Sequence, residues 1–240
     1  STDKVNIVVL LDRLGDTGSW IYYIHKDTDM SKITSPVIRD LGEVNMGDPN
    51  TLATFIEWTM ENFPAMRYAL ILWDHGAGWR KNIPPYKGAC WDDTSNDHLT
   101  LEEIKEALES ARMKIGGRYV ILDLIGFDAC LMGMVEVAYE LRAYASVLVG
   151  SEEVEPWDGW PYDLILHTLK KNPKMSAGKL GKTMCIKYIN SYAYDWVTMS
   201  AIDTRKVGSL TRSIRSFSTK LQRYWHKAKN KIIEARDGVE

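Results

Sequence analysis

Two apolar runs that each end abruptly in a reactive side chain constrain this chain more than any other feature. Tyr68-Ala69-Leu70-Ile71-Leu72-Trp73 stops at Asp74-His75-Gly76, and Tyr119-Val120-Ile121-Leu122-Asp123-Leu124-Ile125 stops at Gly126-Phe127-Asp128-Ala129-Cys130. Short, nearly continuous apolar runs bounded by turn residues read as buried strands of a parallel sheet. Neighbouring strand ends in such a sheet converge on one edge, and ligands bind there. A histidine at one end and a cysteine at another are the parts of a thiol hydrolase.

The rest of the chain alternates in the same way. Val5–Leu11 reads as a first buried strand, with short strands at Trp20–His25 and Val37–Val44 and a helix over Thr51–Asn62 that Pro64 stops. Residues 76–99, rich in Gly, Pro, Asp and Asn, read as a long loop. Thr100-Leu101-Glu102-Glu103 fits a capping box, with Leu101, Ile104 and Leu108 continuing at helical spacing. A helix is expected over Leu131–Arg142, a strand over Ala145–Val149, and helices near 162–171 and 176–192. A last strand, Val197–Ile202, precedes a helix from about 204 to 235. This alternation predicts an α/β three-layer sandwich with a mainly parallel sheet, in one domain spanning residues 1–240.

Length and charge are those of an ordinary globule. With 240 residues and a formal net charge of −2, the chain can bury a sizeable core and lacks the basic excess of a dedicated nucleic-acid binder. Lys227, Lys229 and Lys231 cluster in a helical stretch and read as a solvated face. No apolar run is long enough to span a membrane. Cys90, Cys130 and Cys185 are widely spaced, form no CxxC pair, and by their odd number leave at least one thiol unpaired within the chain.

Cys130 is expected at the first turn of the helix that follows it, where free N–H groups and the helix dipole lower a thiol's pKa. The same N–H groups suit an oxyanion. The alternative is a small buried hydrophobe, and that reading is preferred for Cys90 and Cys185. His75 is followed by Gly76, Ala77 and Gly78, which allow close backbone approach. A structural histidine is the rival reading. The 55-residue separation from His75 to Cys130 is near the roughly 50 residues that caspase-type peptidases show.

Several segments together carry a family resemblance. They are Leu72-Trp73-Asp74-His75-Gly76-Ala77-Gly78-Trp79, Gly126-Phe127-Asp128-Ala129-Cys130-Leu131-Met132-Gly133, Gly150-Ser151-Glu152-Glu153 and Trp157-Asp158-Gly159-Trp160-Pro161-Tyr162, with Trp91-Asp92-Asp93-Thr94-Ser95 to Leu99-Thr100. In this order, over most of residues 5–203, the chain resembles the clostripain family of cysteine peptidases, which has the caspase–gingipain–legumain type of α/β fold.

The resemblance implies a Cys–His dyad. Cys130 attacks the scissile carbonyl, His75 protonates the leaving amine and then helps activate water, and the N–H groups of Gly76 and Cys130 hold the oxyanion. It also implies cleavage of protein or peptide substrates after Arg or Lys, which needs an acidic pocket. Asp128 and Asp158 are the candidate acids and Trp157 an aromatic wall, a combination that suits a guanidinium. An N-cap-like role for Asp128, a turn role for Asp158-Gly159 and simple loop packing by Trp157 and Trp160 remain open. Glu152 and Glu153 read as structural.

Family members are often cleaved between the two dyad segments, which makes Lys87, ahead of Lys81 and Arg80, the autoprocessing candidate. The chemistry requires no cofactor. Clostripain's calcium dependence draws attention to Asp92-Asp93-Thr94-Ser95-Asn96-Asp97, although this run lacks the EF-hand glycine and glutamate and reads first as a hydrogen-bonded loop. A secreted or extracytoplasmic setting is implied, with no nucleic-acid or membrane partner. The alternatives are a catalytically silent binding module on the same fold, and a dyad peptidase or transpeptidase of different specificity.

Overall fold

A computed structural model describes residues 1–15, 17–29, 31–79, 88–116, 122–192 and 196–238. Val8–Leu11 (β1), Trp20–Tyr23 (β2) and Val37–Asp40 (β3) form a three-stranded antiparallel sheet in that order. The expected first buried strand over Val5–Leu11 is therefore corrected. Only Val8–Leu11 is strand; its residues are half-buried, and the short return to β2 pairs it antiparallel outside the main sheet.

Pro49–Asn62 (α1) starts at Asp48, whose carboxylate accepts from the Asn50 N–H at 2.8 Å, with proline in the first turn where no N–H is missed. Ala69–Trp73 (β4) follows. Ala89–Asp92 (β5) and Asp97–Leu99 (β6) then pair as an antiparallel hairpin, where a continuous loop was expected. Strands of three and four residues carry too little periodicity to be read from polar, Asp-rich sequence. Leu101–Lys114 (α2) has the expected capping box: Thr100 accepts from the Glu103 N–H at 3.2 Å, and Glu103 accepts from the Thr100 N–H at 2.8 Å.

Leu122–Asp128 (β7), Val135–Leu141 (α3), Ala145–Gly150 (β8), Tyr162–Lys171 (α4), Ala177–Ser191 (α5), Ser200–Asp203 (β9) and Thr204–Asp237 (α6) complete the order. The main sheet runs β4-β7-β8-β9, with the first three strands parallel and β9 antiparallel to β8. α2 lies in the crossover from β4 to β7 and α3 in that from β7 to β8; the right-handed rule for parallel crossovers puts both helices on one face, and the two helices touch. The other face carries α4 and α5. There Leu124, Val147 and Val149 pack against Trp160, Ile165 and Met184. Each such side chain contributes about 1.5–3 kcal/mol on burial. Helices on both faces of one mixed sheet make the α/β three-layer arrangement.

The chain divides into two compact units, residues 1–204 and residues 205–240. The second is the continuation of α6, with ten basic and two acidic residues between Arg205 and Asp237 and with Leu210, Ile214, Phe217 and Tyr224 exposed. Among the described residues, no helix is long and apolar enough to cross a membrane.

Candidate active site

The β4–β7 ladder ends at the pair Trp73↔Asp128, extended by the Asp74 N–H donating to the Asp128 carbonyl at 3.3 Å. His75 and Cys130 each lie two residues beyond that last pair. The two segments meet directly at Gly76. A Cβ built there would stand 2.1 Å from the Cys130 carbonyl oxygen and 2.9 Å from the Cys130 nitrogen, so only glycine lets the backbones approach this closely.

The histidine segment is anchored by Asp74. Its carboxylate accepts from the Trp91 N–H on β5 at 2.9 Å and from the His75 N–H. Asp74 has φ +110, a conformation that favours glycine, and the hairpin bond helps hold it there. Burial, ahead of the opposing influence of His75, raises its pKa. The His75 ring stands 6.2 Å from the Trp157 ring, centroid to centroid.

The cysteine segment departs from the sequence-based expectation. α3 begins at Val135, not at Leu131, and Leu131 has φ +64, which no helix accommodates. Residues 130–133 instead form a turn stitched to the exit of β8. The Leu131 N–H donates to the Glu153 carbonyl at 3.2 Å and the Gly133 N–H to the Ser151 carbonyl at 2.6 Å. The expected lowering of the Cys130 pKa by a helix terminus is therefore corrected. Burial raises it, assisted by the charges of Glu155 and Glu153, while the Glu155 N–H, donating to the thiol sulfur at 3.3 Å, opposes the rise.

Asp128 sits 3% exposed at the end of β7. It accepts from the Tyr162 hydroxyl at 2.8 Å and from the Trp160 N–H at 3.2 Å. It caps no helix, since α3 begins with Met134 as an uncapped boundary. Gly159, at φ +62, lies so close that a Cβ would stand 3.0 Å from both Asp128 oxygens. Asp158 and Trp157 are exposed on the same loop, Trp157 at 86%. Trp160 is buried, with its ring over Gly126, and its indole N–H donates to Glu155 at 3.0 Å.

Glu155 is the residue that sequence reasoning missed. Its backbone reaches the thiol and its carboxyl lies against Asp128, where burial and then the Asp128 charge raise its pKa well above the carboxylate range. Burial raises Asp128 as well. No periodicity marks one glutamate of Glu152-Glu153-Val154-Glu155 as the buried one, because the segment is irregular.

Lys87, Lys81 and Arg80 lie outside the described residues. In the oxygen-rich run Asp92 accepts from the Met46 and Ser95 N–H groups, Asp93 from the Trp91 indole, and Asp97 from Asn45 and the His98 N–H. Among the described residues, no three His, Cys, Asp or Glu side chains converge as metal ligands. A separate concave surface lined by Ile21, Arg39, Leu41 and Phe55 involves neither Cys130 nor His75.

Comparison with known proteins agrees with this architecture. The clostripain of Hathewaya histolytica is 37% identical over 141 residues, which is 53% of this chain and 25% of that protein. A secreted C11 cysteine protease from Bacteroides thetaiotaomicron, solved with an irreversible peptide inhibitor, superposes with a TM-score of 0.70 at 25% identity. The match covers 88% of this chain and 59% of that one. An inactive zymogen C11 protease from Parabacteroides distasonis shares the fold, with a TM-score of 0.68 at 22% identity over 88% of this chain and 55% of the other. The chain thus spans a quarter of the curated relative's length and somewhat over half of these solved chains. Residues 1–236 match the clostripain family, Peptidase C11, and since that is nearly the whole sequence, the chain belongs to this family of caspase-like fold.

Proposed function

We propose that this chain is a cysteine endopeptidase domain that hydrolyses peptide bonds after Arg or Lys through a Cys130–His75 dyad. The observation that carries this reading is the contact at Gly76. A backbone that tolerates no Cβ brings the histidine segment against Cys130 at the carboxyl edge of adjacent parallel strands.

In the proposed reaction Cys130 Sγ attacks the scissile carbonyl and its proton passes to His75. His75 delivers a proton to the departing amine, leaving an acyl-enzyme. Water then attacks that thioester with His75 taking its proton, and the carboxylate and free thiol are regenerated. The N–H groups of Gly76 and Cys130 are the proposed oxyanion donors. Because burial holds the resting thiol protonated, deprotonation by His75 is part of the attack rather than a prior event.

Asp128 supplies the acidic character at the base of the proposed pocket, with Asp158 and Trp157 at its exposed rim. Protein or peptide substrates, an extracytoplasmic setting, self-cleavage at Lys87 and cofactor-independent chemistry belong to the same proposal, with calcium tested as a variable. The raised thiol pKa is the observation that favours a catalytically silent module as the second reading.

Reporter peptides ending in Arg, Lys, Asp or Asn before the scissile bond, offered with and without calcium, separate these readings. Arg or Lys cleavage that disappears in Cys130→Ala is the expected result. Cleavage only after Asp or Asn would remove the basic pocket. No cleavage together with no alkylation of Cys130 would establish the silent module.

A further inference from the structure

The tip of the 151–161 loop is a β-turn. The Gly159 N–H donates to the Pro156 carbonyl at 3.0 Å, which closes the turn and leaves Trp157 and Asp158 as its two central, exposed residues. Gly159, at φ +62, leads the chain out of the turn and straight into the buried Trp160. Where Asp158 and Trp157 stand is therefore set by what holds the turn at its two feet.

The entry foot rests on the nucleophile turn, through the Glu155 N–H on the Cys130 sulfur at 3.3 Å. The exit foot is a single peptide group, Gly159–Trp160, and it is clamped on both sides. Its N–H donates to Asp128 Oδ2 at 3.2 Å, and its carbonyl accepts from the Tyr192 hydroxyl at 2.7 Å. The same Asp128 oxygen accepts from the Tyr162 hydroxyl at 2.8 Å, which fixes that side of the clamp to α4. Tyr192 lies just past the end of α5, 33 residues from Gly159 in sequence, with its ring centroid 4.9 Å from that of Tyr188. α5 is a firm support, because Leu180, Met184 and Tyr188 are buried in the cluster that holds Val147, Val149 and Trp160. A peptide plane paired on both sides cannot rotate without giving up two hydrogen bonds. Gly159 and Trp160 are buried, so water does not freely replace a lost partner.

We infer that Tyr192 is a positioning residue for substrate specificity: its hydroxyl fixes the Gly159–Trp160 peptide, and that peptide holds Asp158 where a basic substrate side chain meets it. The inference rests on the proposed Arg or Lys preference and deepens it. Asp158 supplies the charge at the rim, and Tyr192, from a different element, acts only through the peptide between them.

Tyr192→Phe removes the donor and keeps the ring. Steady-state kinetics compare parent and variant on two reporter peptides that differ only before the scissile bond, one with Arg and one with its neutral isostere citrulline. For the Arg reporter kcat/KM is expected to fall about 3–10-fold, the worth of one hydrogen bond, with the loss carried by KM. The citrulline reporter is expected to stay level, and so is the rate of Cys130 alkylation, because the entry foot is untouched. Tyr188→Phe is the control. That neighbouring hydroxyl has no partner among the described residues, so its removal is expected to leave the Arg-to-citrulline ratio at the parent value. An equal loss on both reporters in Tyr192→Phe assigns the hydroxyl a general structural role and overturns the inference. An unchanged ratio, or a matching fall in Tyr188→Phe, overturns it as well, and in all three cases the parent's Arg preference stands. A parent that cleaves the Arg reporter no better than the citrulline one overturns the specificity reading and the inference together.

Discussion

Glu155 shows how one side chain can couple burial, charge and the nucleophile. Its carboxyl keeps a proton in the folded chain at pH values where the unfolded chain, with an ordinary value of 4.5, has lost it. The linkage sign follows from that. Above about pH 4.5 the unfolded state binds fewer protons than the folded one, so this group's contribution to stability falls as pH rises, until the folded group ionises as well. Glu155→Gln removes that dependence. The variant's melting temperature relative to the parent is therefore expected to climb between pH 5 and pH 8. The gain is several degrees, since a tenfold change in proton affinity on folding is worth about 1.4 kcal/mol and a chain of this size moves about 2–4 °C per kcal/mol. Thermal scans at the two pH values check this; a constant difference would mean that Glu155 is ionised in the folded chain.

At the scale of elements, the caps decide where helices start, and they were the most legible part of the sequence. Thr100 and Glu103 announce α2 because a capping box is a local device: both partners lie within one turn and satisfy each other's backbone N–H. Thr100→Ala is expected to cost about 1 kcal/mol without changing the rate at which Cys130 is alkylated, measured by denaturant unfolding and by mass spectrometry. The same local logic failed at Leu131. The run Leu131-Met132-Gly133-Met134 has helical composition, but Gly133 and Gly150 lie in contact and the Gly133 N–H is committed to Ser151 across the sheet edge. A long-range bond overrides propensity there, and nothing within the segment announces it. The hairpin β5–β6 was hidden in a similar way. Its pairing is short, and its tie to Asp74 spans 17 residues. Position at strand ends was readable because parallel strands bring their ends together; the charge state of a thiol was not, because it depends on what covers it.

The whole fold distributes three thiols through quite different surroundings, and that distribution is measurable in one experiment. Cys90, on β5, is half-buried beside Asp74, and burial pushes its pKa up to about 12. Cys185 of α5 packs against the core on the α4–α5 face and is pushed up to about 11, again by burial. Cys130 is also raised, yet it stands at the open carboxyl edge of the sheet, half-enclosed and with a backbone N–H on its sulfur. Thiolate is the reactive form, so at pH 7.5 a group near 11 presents about three parts in ten thousand as nucleophile. Iodoacetamide is therefore expected to modify Cys130 well ahead of Cys185, with Cys90 the slowest, as read by peptide mass mapping over time. The pH profile adds a sharper condition. A thiol raised by burial alkylates faster with every step of pH up to 9 and above, without levelling off near neutrality. A plateau between pH 6 and 8 would instead mark a thiolate already paired with the His75 imidazolium in the resting chain. In that case the concerted deprotonation proposed for the attack would have to give way to a preformed ion pair, with the penalty from burial and from the Glu153 charge outweighed by His75.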